Sequence, residues 1–319
     1  MDFKVTPLGP GAAEITGFDG AQPLSDDLFA VVNRTFLEYP VLVFRNQTLS
    51  AKQFANFSRR FGQLESYEMP PGQAAKPPTA ALRETKQRET PDQMLYLSPE
   101  DPDVLIMTNE IRTDTPPLAI IDNAEMWHAD GSHKIEPYKA VLVHVLRNPA
   151  QGGDTEFCDM RALYDALPAD VKKGLMGRCA IHNWSKSRNP QFANLLNKEA
   201  RAEGERIAAM IPEMTQPLIC AHPETGRPHL YLSPRFTIRI DDVPPEISDT
   251  ILNNLFSLME EPNFVYRHTW CEKDLMIWDN RCLNHRVRSY AVNDIRTRHR
   301  ATVAGDSPMI NYWAGDNEI

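Results

Sequence analysis

His128 and Asp130, in the run Trp127-His128-Ala129-Asp130, and His285 far downstream are the residues whose types and spacing point first to chemistry. In an extended strand alternate side chains share one face, so His128 and Asp130 project together and can take adjacent positions on one metal ion. A histidine from a distant strand, His285, then completes a face of two imidazoles and one carboxylate. On an octahedral iron(II) such a face leaves the opposite side open for a co-substrate and dioxygen. The same three ligands suit zinc and a metal-activated water. A lone His-x-Asp arises readily by chance in a chain with 9 His and 43 Asp and Glu, so the context has to decide.

The context is ordered. After the pair come Gly152-Gly153-Asp154-Thr155, then Trp278-Asp279-Asn280-Arg281-Cys282-Leu283-Asn284-His285, then Arg296, Arg298 and Arg300 ahead of Ala301-Thr302-Val303-Ala304-Gly305-Asp306. In this arrangement the motifs resemble those of the iron(II)- and 2-oxoglutarate-dependent dioxygenases of the taurine dioxygenase and chlorophenoxyacetate dioxygenase type. The opening half, from Gly11-Ala12-Ala13-Glu14-Ile15 to Phe61-Gly62, is similar to that family's N-terminal segment.

The resemblance implies that His128, Asp130 and His285 hold iron(II), with 2-oxoglutarate and O2 as co-substrates. It implies Arg296 as the cation for the far carboxylate of 2-oxoglutarate, which a guanidinium can grip in a two-pronged fork, and Thr155 as that carboxylate's hydrogen-bond donor. Arg300 is implied as the partner of the substrate's own anionic group. His133 stands where the taurine enzyme type has an aromatic ring; it is a second substrate-binding candidate and counts against a sulfonate-specific pocket. The implied reaction is an oxidoreductase's: 2-oxoglutarate is decarboxylated to succinate while a small carboxylate or sulfonate is hydroxylated, with bond cleavage where the hydroxylated carbon carries a heteroatom. Two rivals are a zinc hydrolase, which would not require Thr155 and Arg296, and a non-catalytic small-molecule-binding jelly roll.

Composition sets the frame for these residues. A chain of 319 residues, 42% hydrophobic, can bury a substantial core. The formal net charge of −9, without a dense Lys/Arg block, counts against nucleic acid and anionic membranes and leaves a small molecule as the expected partner. Cys158, Cys179, Cys220, Cys271 and Cys282 are odd in number and scattered, as in a reduced compartment. With neither a leader-like start nor an apolar run of roughly 18 to 20 residues, a cytoplasmic protein is expected. The resemblance adds a homo-oligomer, a dimer or tetramer.

The elements that must position the candidates are mostly strands. Residues 3 to 16 read as a strand pair around Gly9-Pro10-Gly11, Val41-Leu42-Val43-Phe44 and Ala140 to Leu146 as buried strands, and Phe264 to His268 as a return to strand before Asp274 to Asp279 carries the chain up to His285. Ser25 and Ser50 are placed to cap two amphipathic helices, further helices are expected after Asp159 and Pro244, and 192–210 has a helical composition. His144 reads as a core residue and His222 as a turn residue. If Arg296, Arg298 and Arg300 lie in a regular strand, all three face one side. Strands in the majority, with helices confined to insertions, predict a mainly β sandwich or barrel with flanking helices. The resemblance makes this a double-stranded β-helix, a cupin-like jelly roll, in a single domain over 1–319. The proline- and charge-rich stretch 69–103 is read as a lid or insertion.

Overall fold

Val41-Leu42-Val43-Phe44 carries no polar residue, the pattern of a strand covered on both faces, and all four side chains are buried. The computed structural model describes residues 3–67, 93–112, 118–121, 124–183, 212–291 and 293–313. In chain order its strands are β1 (Lys4–Gly9), β2 (Ala12–Thr16), β3 (Val41–Phe44), β4 (Gln93–Leu97), β5 (Leu105–Thr108), β6 (Ala119–Ile121), β7 (Ala140–Arg147), β8 (Thr155–Asp159) and β9 (Cys179–His182). They continue with β10 (Met214–Pro217), β11 (Ile219–Ala221), β12 (Pro228–Leu230), β13 (Thr237–Ile240), β14 (Val265–His268), β15 (Leu275–Asp279), β16 (Leu283–Val287), β17 (Thr297–Val303) and β18 (Ile310–Asn311). Among the described residues the α-helices are α1 (Asp26–Glu38), α2 (Ala51–Ser58), α3 (Met160–Ala166), α4 (Ala169–Leu175) and α5 (Pro245–Leu258). The protein is therefore mainly β with flanking helices.

A nine-stranded sheet runs β1-β2-β3-β15-β7-β17-β5-β4-β6, and a separate three-stranded sheet runs β14-β8-β16. Side-chain parity explains how they meet. Leu42, Phe44, Leu142, Leu275 and Ile277 point to one side of the large sheet, where Val32 and Phe36 of α1 and Phe54 and Phe57 of α2 cover them. Their neighbours Val41, Val43, Val141, Val143 and Met276 point to the other side and pack with Phe157 of β8, Tyr266 of β14 and Leu283 of β16. Burying each such side chain is worth about 1.5–3 kcal/mol, so the two layers are held mainly by this period-two division of apolar residues.

Both helix starts expected from sequence are present. Ser25 accepts from the backbone of Leu28, and Ser50 and Gln53 form a reciprocal capping box at α2. Asp159 caps α3 by accepting from Arg161 and Ala162, and α5 starts at Pro245. His144 is buried in the core, its Nε2 on the carbonyl of Gln47 at 3.0 Å. His222 caps its own turn: Nδ1 accepts from the backbone of Glu224 and Thr225, and Nε2 reaches Asp279 at 3.0 Å.

Two local expectations change. The His128–Asp130 segment is not a strand: His128 makes one antiparallel bridge with His285, and Asp130 already lies in a turn. Within 69–103, Gln93–Leu97 is a sheet strand rather than irregular chain, and its first four residues are buried. The rest of the supposed lid up to residue 92, after Tyr67, and the helical composition of 192–210 lie outside the described residues.

Candidate active site

The single bridge between His128 and His285 is made of two backbone hydrogen bonds, His128 N to His285 O at 3.0 Å and His285 N to His128 O at 2.8 Å. It ties a loop to the middle of β16 and brings the two imidazoles to 4.2 Å between ring centroids. Nδ1 of His128 lies 2.8 Å from the carbonyl of Met126. A carbonyl only accepts, so the proton sits on Nδ1 and the lone pair of Nε2 is left for a metal. The preceding Trp127 is pinned as well: its indole donates to Glu260 at 2.9 Å, and the Arg286 guanidinium lies 4.2 Å from its ring.

Asp130 approaches from the turn. Its Oδ1 lies 3.5 Å from His128 Nε2 and its Oδ2 lies 3.9 Å from His285 Nε2. One donor atom from each of the three residues fits within 4.8 Å of the others, the donor set and spacing of a small metal site. The turn requires Gly131, whose φ of +69° is left-handed and whose missing Cβ would meet the Tyr138 ring at 2.7 Å. Asn280, just beyond β15, accepts from Asp130 N at 2.8 Å and donates to Asp130 O at 2.7 Å. Asn280 lies in the run Trp278 to His285, and nothing in that run alone points to this task.

Charge around the triad suits a metal. Burial opposes ionisation of Asp130, but Arg300 and the two histidines outweigh it and hold the carboxyl well below its ordinary value. Burial, and then His128, push His285 well below the ordinary imidazole value, so it is neutral as a ligand must be. A second cluster, His222, Asp279 and Cys282, has metal-like spacing too. Its donors are already consumed, because Arg281 grips both oxygens of Asp279 at 2.9 and 2.6 Å while His222 takes a third bond. That cluster is structural.

A cavity of about 380 Å³ opens beside the triad, and Thr155, Arg296, Arg300 and His133 all line it. Thr155, from the three-stranded sheet, accepts at Oγ1 from the Trp270 indole at 2.9 Å, which leaves its own hydroxyl proton free to donate. Across the gap, Arg298 and Arg300 stand on the face of β17 opposite to Ala301 and Val303, which belong to the helix-covered core. Arg296 precedes the strand and still points into the cavity, so all three arginines share one side. It is 2% exposed, its Nε has no hydrogen-bond partner, and its guanidinium lies 5.6 Å from the Tyr290 ring. Arg300 donates from Nη2 to Asp130 Oδ2 at 2.5 Å, and its Nε is unpartnered. His133 tilts against Phe236 at 5.7 Å between ring centroids. Burial, then Lys134, lower its pKa. Leu95, Leu105, Met107 and Val143 supply an apolar wall. Tyr67, Tyr138, Trp270 and Phe236 also line the site, and no motif in the sequence marks them.

The residues present fit an iron(II) ion and an organic dianion: three converging donors, and a buried guanidinium without a carboxylate partner among the described residues. The chain is similar over almost its whole length to characterised enzymes. It is 32% identical to the alpha-ketoglutarate-dependent 2,4-dichlorophenoxyacetate dioxygenase of Burkholderia sp. (strain RASC), covering 96% of each chain. It is 30% identical to the (S)-phenoxypropionate/alpha-ketoglutarate-dioxygenase of Sphingobium herbicidovorans, covering 95% of this chain and 96% of that one. Among solved structures it is similar to AAD-2 in complex with Mn(II) and N-oxalylglycine, with a TM-score of 0.72 at 26% identity, covering 97% of this chain and 100% of that one. Residues 4–302 match the model described as taurine catabolism dioxygenase TauD, TfdA family. With donor set, cavity and relatives in agreement, this chain belongs to that family and is a 2-oxoglutarate-dependent dioxygenase.

Proposed function

We propose that His128, Asp130 and His285 hold iron(II), that Arg296 and Thr155 bind the far carboxylate of 2-oxoglutarate, and that Arg300, with His133 in the same cavity wall, orients a small carboxylate substrate for hydroxylation. The observation that carries this reading is the opening of one cavity onto both the three-donor cluster and the buried guanidinium of Arg296. Iron(II), when bound, supplies the activation of dioxygen that couples decarboxylation of 2-oxoglutarate to oxidation of the substrate.

The chain's own residues do the rest. Met126 O fixes the His128 tautomer, and Arg300 keeps Asp130 ionised as a ligand. Thr155 donates a hydroxyl proton that Trp270 leaves free. Arg296 offers a guanidinium that stays charged even when buried, with no carboxylate partner among the described residues. Leu95, Leu105, Met107 and Val143 keep bulk water from the reacting carbon. One hydrogen bond of Arg300 goes to Asp130 and its Nε remains for a substrate carboxylate, so bracing the ligand and meeting the substrate are compatible tasks.

The relatives named above act on 2,4-dichlorophenoxyacetate and on (S)-phenoxypropionate. Tyr67, Tyr138 and Phe236 line this cavity and suit a flat ring. An aryloxyalkanoate-type acid is therefore the substrate class of this reading. A jelly-roll core in one domain belongs to it as well, and the two sheets facing each other through Val141, Val143, Phe157 and Tyr266 support that. Cytoplasmic residence and a dimer or tetramer are part of the same proposal; no helix among the described residues is long and apolar enough to cross a membrane.

Anaerobic addition of iron(II) and then 2-oxoglutarate should give a visible charge-transfer band, and an aryloxyacetate should then drive succinate release in air. Absence of the band would refute the metal and co-substrate assignment. A band with succinate release indifferent to every organic acid tried would refute the substrate class alone.

A further inference from the structure

Arg298 is a buried charge to which the assignments above give no task. It is 1% exposed and lines the cavity between Arg296 and Arg300. Its contacts are weak for a cation so deeply placed: the guanidinium lies 4.2 Å from the centre of the Trp270 ring, and Nη2 donates to Asn148 Oδ1 at 3.2 Å. Its Nε has no partner, and neither has the Nε of Arg296. Among the described residues no carboxylate forms an ion pair with either arginine. Asp274 acts on Arg298 through space but is already engaged by Arg45 at 2.7 Å and His268 at 3.1 Å. Burial, and then Arg296, push the Arg298 guanidinium well below its ordinary value. Two neighbouring cations in a dry site form an arrangement that a bound anion relieves.

The indole of Trp270 says which anion. Its ring carries Arg298 and its N–H binds Thr155 Oγ1 at 2.9 Å, so the cation and the hydroxyl sit against one rigid side chain. A carboxylate has about four lone-pair sites and can accept from two guanidinium groups and a hydroxyl together. We propose that Arg298 is a second carboxylate-binding residue for 2-oxoglutarate, closing with Arg296 and Thr155 on the far carboxylate of that acid. This rests on the reading of the cavity as a 2-oxoglutarate site.

The proposal has a signature that a structural arginine lacks. In the ligand-free protein Arg298 is a buried cation with no carboxylate partner among the described residues and only weak contacts, so replacing it with an apolar side chain of similar length leaves stability unchanged or raises it. The same replacement weakens 2-oxoglutarate. The test uses Mn(II)-loaded protein and calorimetric titration with 2-oxoglutarate and with 2-oxopentanoate, which carries a methyl group in place of the far carboxylate. In Arg298→Met, 2-oxoglutarate affinity should fall about tenfold or more while 2-oxopentanoate affinity holds. The ligand-free Tm should stay or rise, and the Tm gain on adding 2-oxoglutarate should shrink. Arg298→Lys, which keeps the charge and loses the fork, should fall between the two, and it carries the comparison if the methionine variant does not fold. Equal losses for both acids, or 2-oxoglutarate affinity unchanged in both variants, would overturn the role of Arg298 alone. A wild-type protein that binds neither acid would overturn the 2-oxoglutarate reading and this proposal with it.

Discussion

The side-chain amide of Asn280 holds the backbone of Asp130 from both sides, accepting from its N–H at 2.8 Å and donating to its carbonyl at 2.7 Å. Asn280 is fully buried and also donates to the carbonyl of Tyr138 at 3.1 Å, so one amide ties both ends of the turn to the end of β15. The carboxylate candidate thus stands on a turn yet is held as firmly as a strand residue.

Asn280→Ala should therefore release Asp130 without touching the metal donors. Changes of this kind in residues that orient a ligand typically cost 10- to 100-fold in metal affinity, at roughly 1–3 kcal/mol of stability where buried polar groups lose partners. Titrating Mn(II) or iron(II) into the variant, beside a thermal melt, checks both. A lowered Tm with intact metal affinity would make Asn280 a core residue only.

Arg300 separates two tasks. The ion pair with Asp130 predicts that Arg300→Gln weakens the metal site modestly, while the unpartnered Nε predicts a larger loss of preference for an acid over its amide. The comparison is kcat/KM for an aryloxyacetate and its neutral amide in both proteins. If the wild-type enzyme turns over the amide as well as the acid, Arg300 only braces Asp130.

Legibility followed from periodicity. The arginines Arg296, Arg298 and Arg300 share a side because parity survives even where register shifts between Thr297 and Arg298. Val41–Phe44 and Ala140–Arg147 were readable because a sheet covered on both faces needs uninterrupted apolar residues. Asn280 and Trp270 were not, since their tasks exist only where distant segments meet: Asn280 at the turn after Asp130, Trp270 between Thr155 and Arg298. The strand geometry expected for His128 and Asp130 failed for the same reason, because Gly131 and the bridge to His285 determine the local backbone. Gln93–Leu97 was hidden by the proline-rich stretch before it, although its buried residues reveal it once the sheet is assembled.

Arg296 bears on the co-substrate. On the proposed assignment, removing it leaves the far carboxylate of 2-oxoglutarate without its cation in a desolvated pocket, a loss of about 2–5 kcal/mol. Arg296→Ala should raise the 2-oxoglutarate concentration needed for half-maximal turnover steeply and leave binding of the iron alone unchanged. An unchanged requirement in this variant, with a raised one in Arg300→Ala, would mean that the two arginines have exchanged roles.

The last prediction concerns acid. His299, beside Arg300 but on the helix-covered face of β17, stacks on Phe54 at 6.0 Å and faces His144 at 6.0 Å between ring centroids. Burial, and then His144, lower its pKa from 6.5 to about 4, against a weak opposing pull from Glu100. The unfolded chain therefore binds the proton first as pH falls. His299 costs nothing above pH 6.5, and its destabilising effect grows as pH drops from there towards about 4. Each unit of that depression is worth about 1.4 kcal/mol, so the contribution reaches about 3 kcal/mol once both states are protonated. Tm of the metal-free protein should fall across this window, and His299→Phe, which keeps a ring against Phe54, should flatten the fall without changing Tm much at neutral pH. Parallel Tm profiles for the two proteins between pH 7 and 4 would show that His299 is not the group responsible.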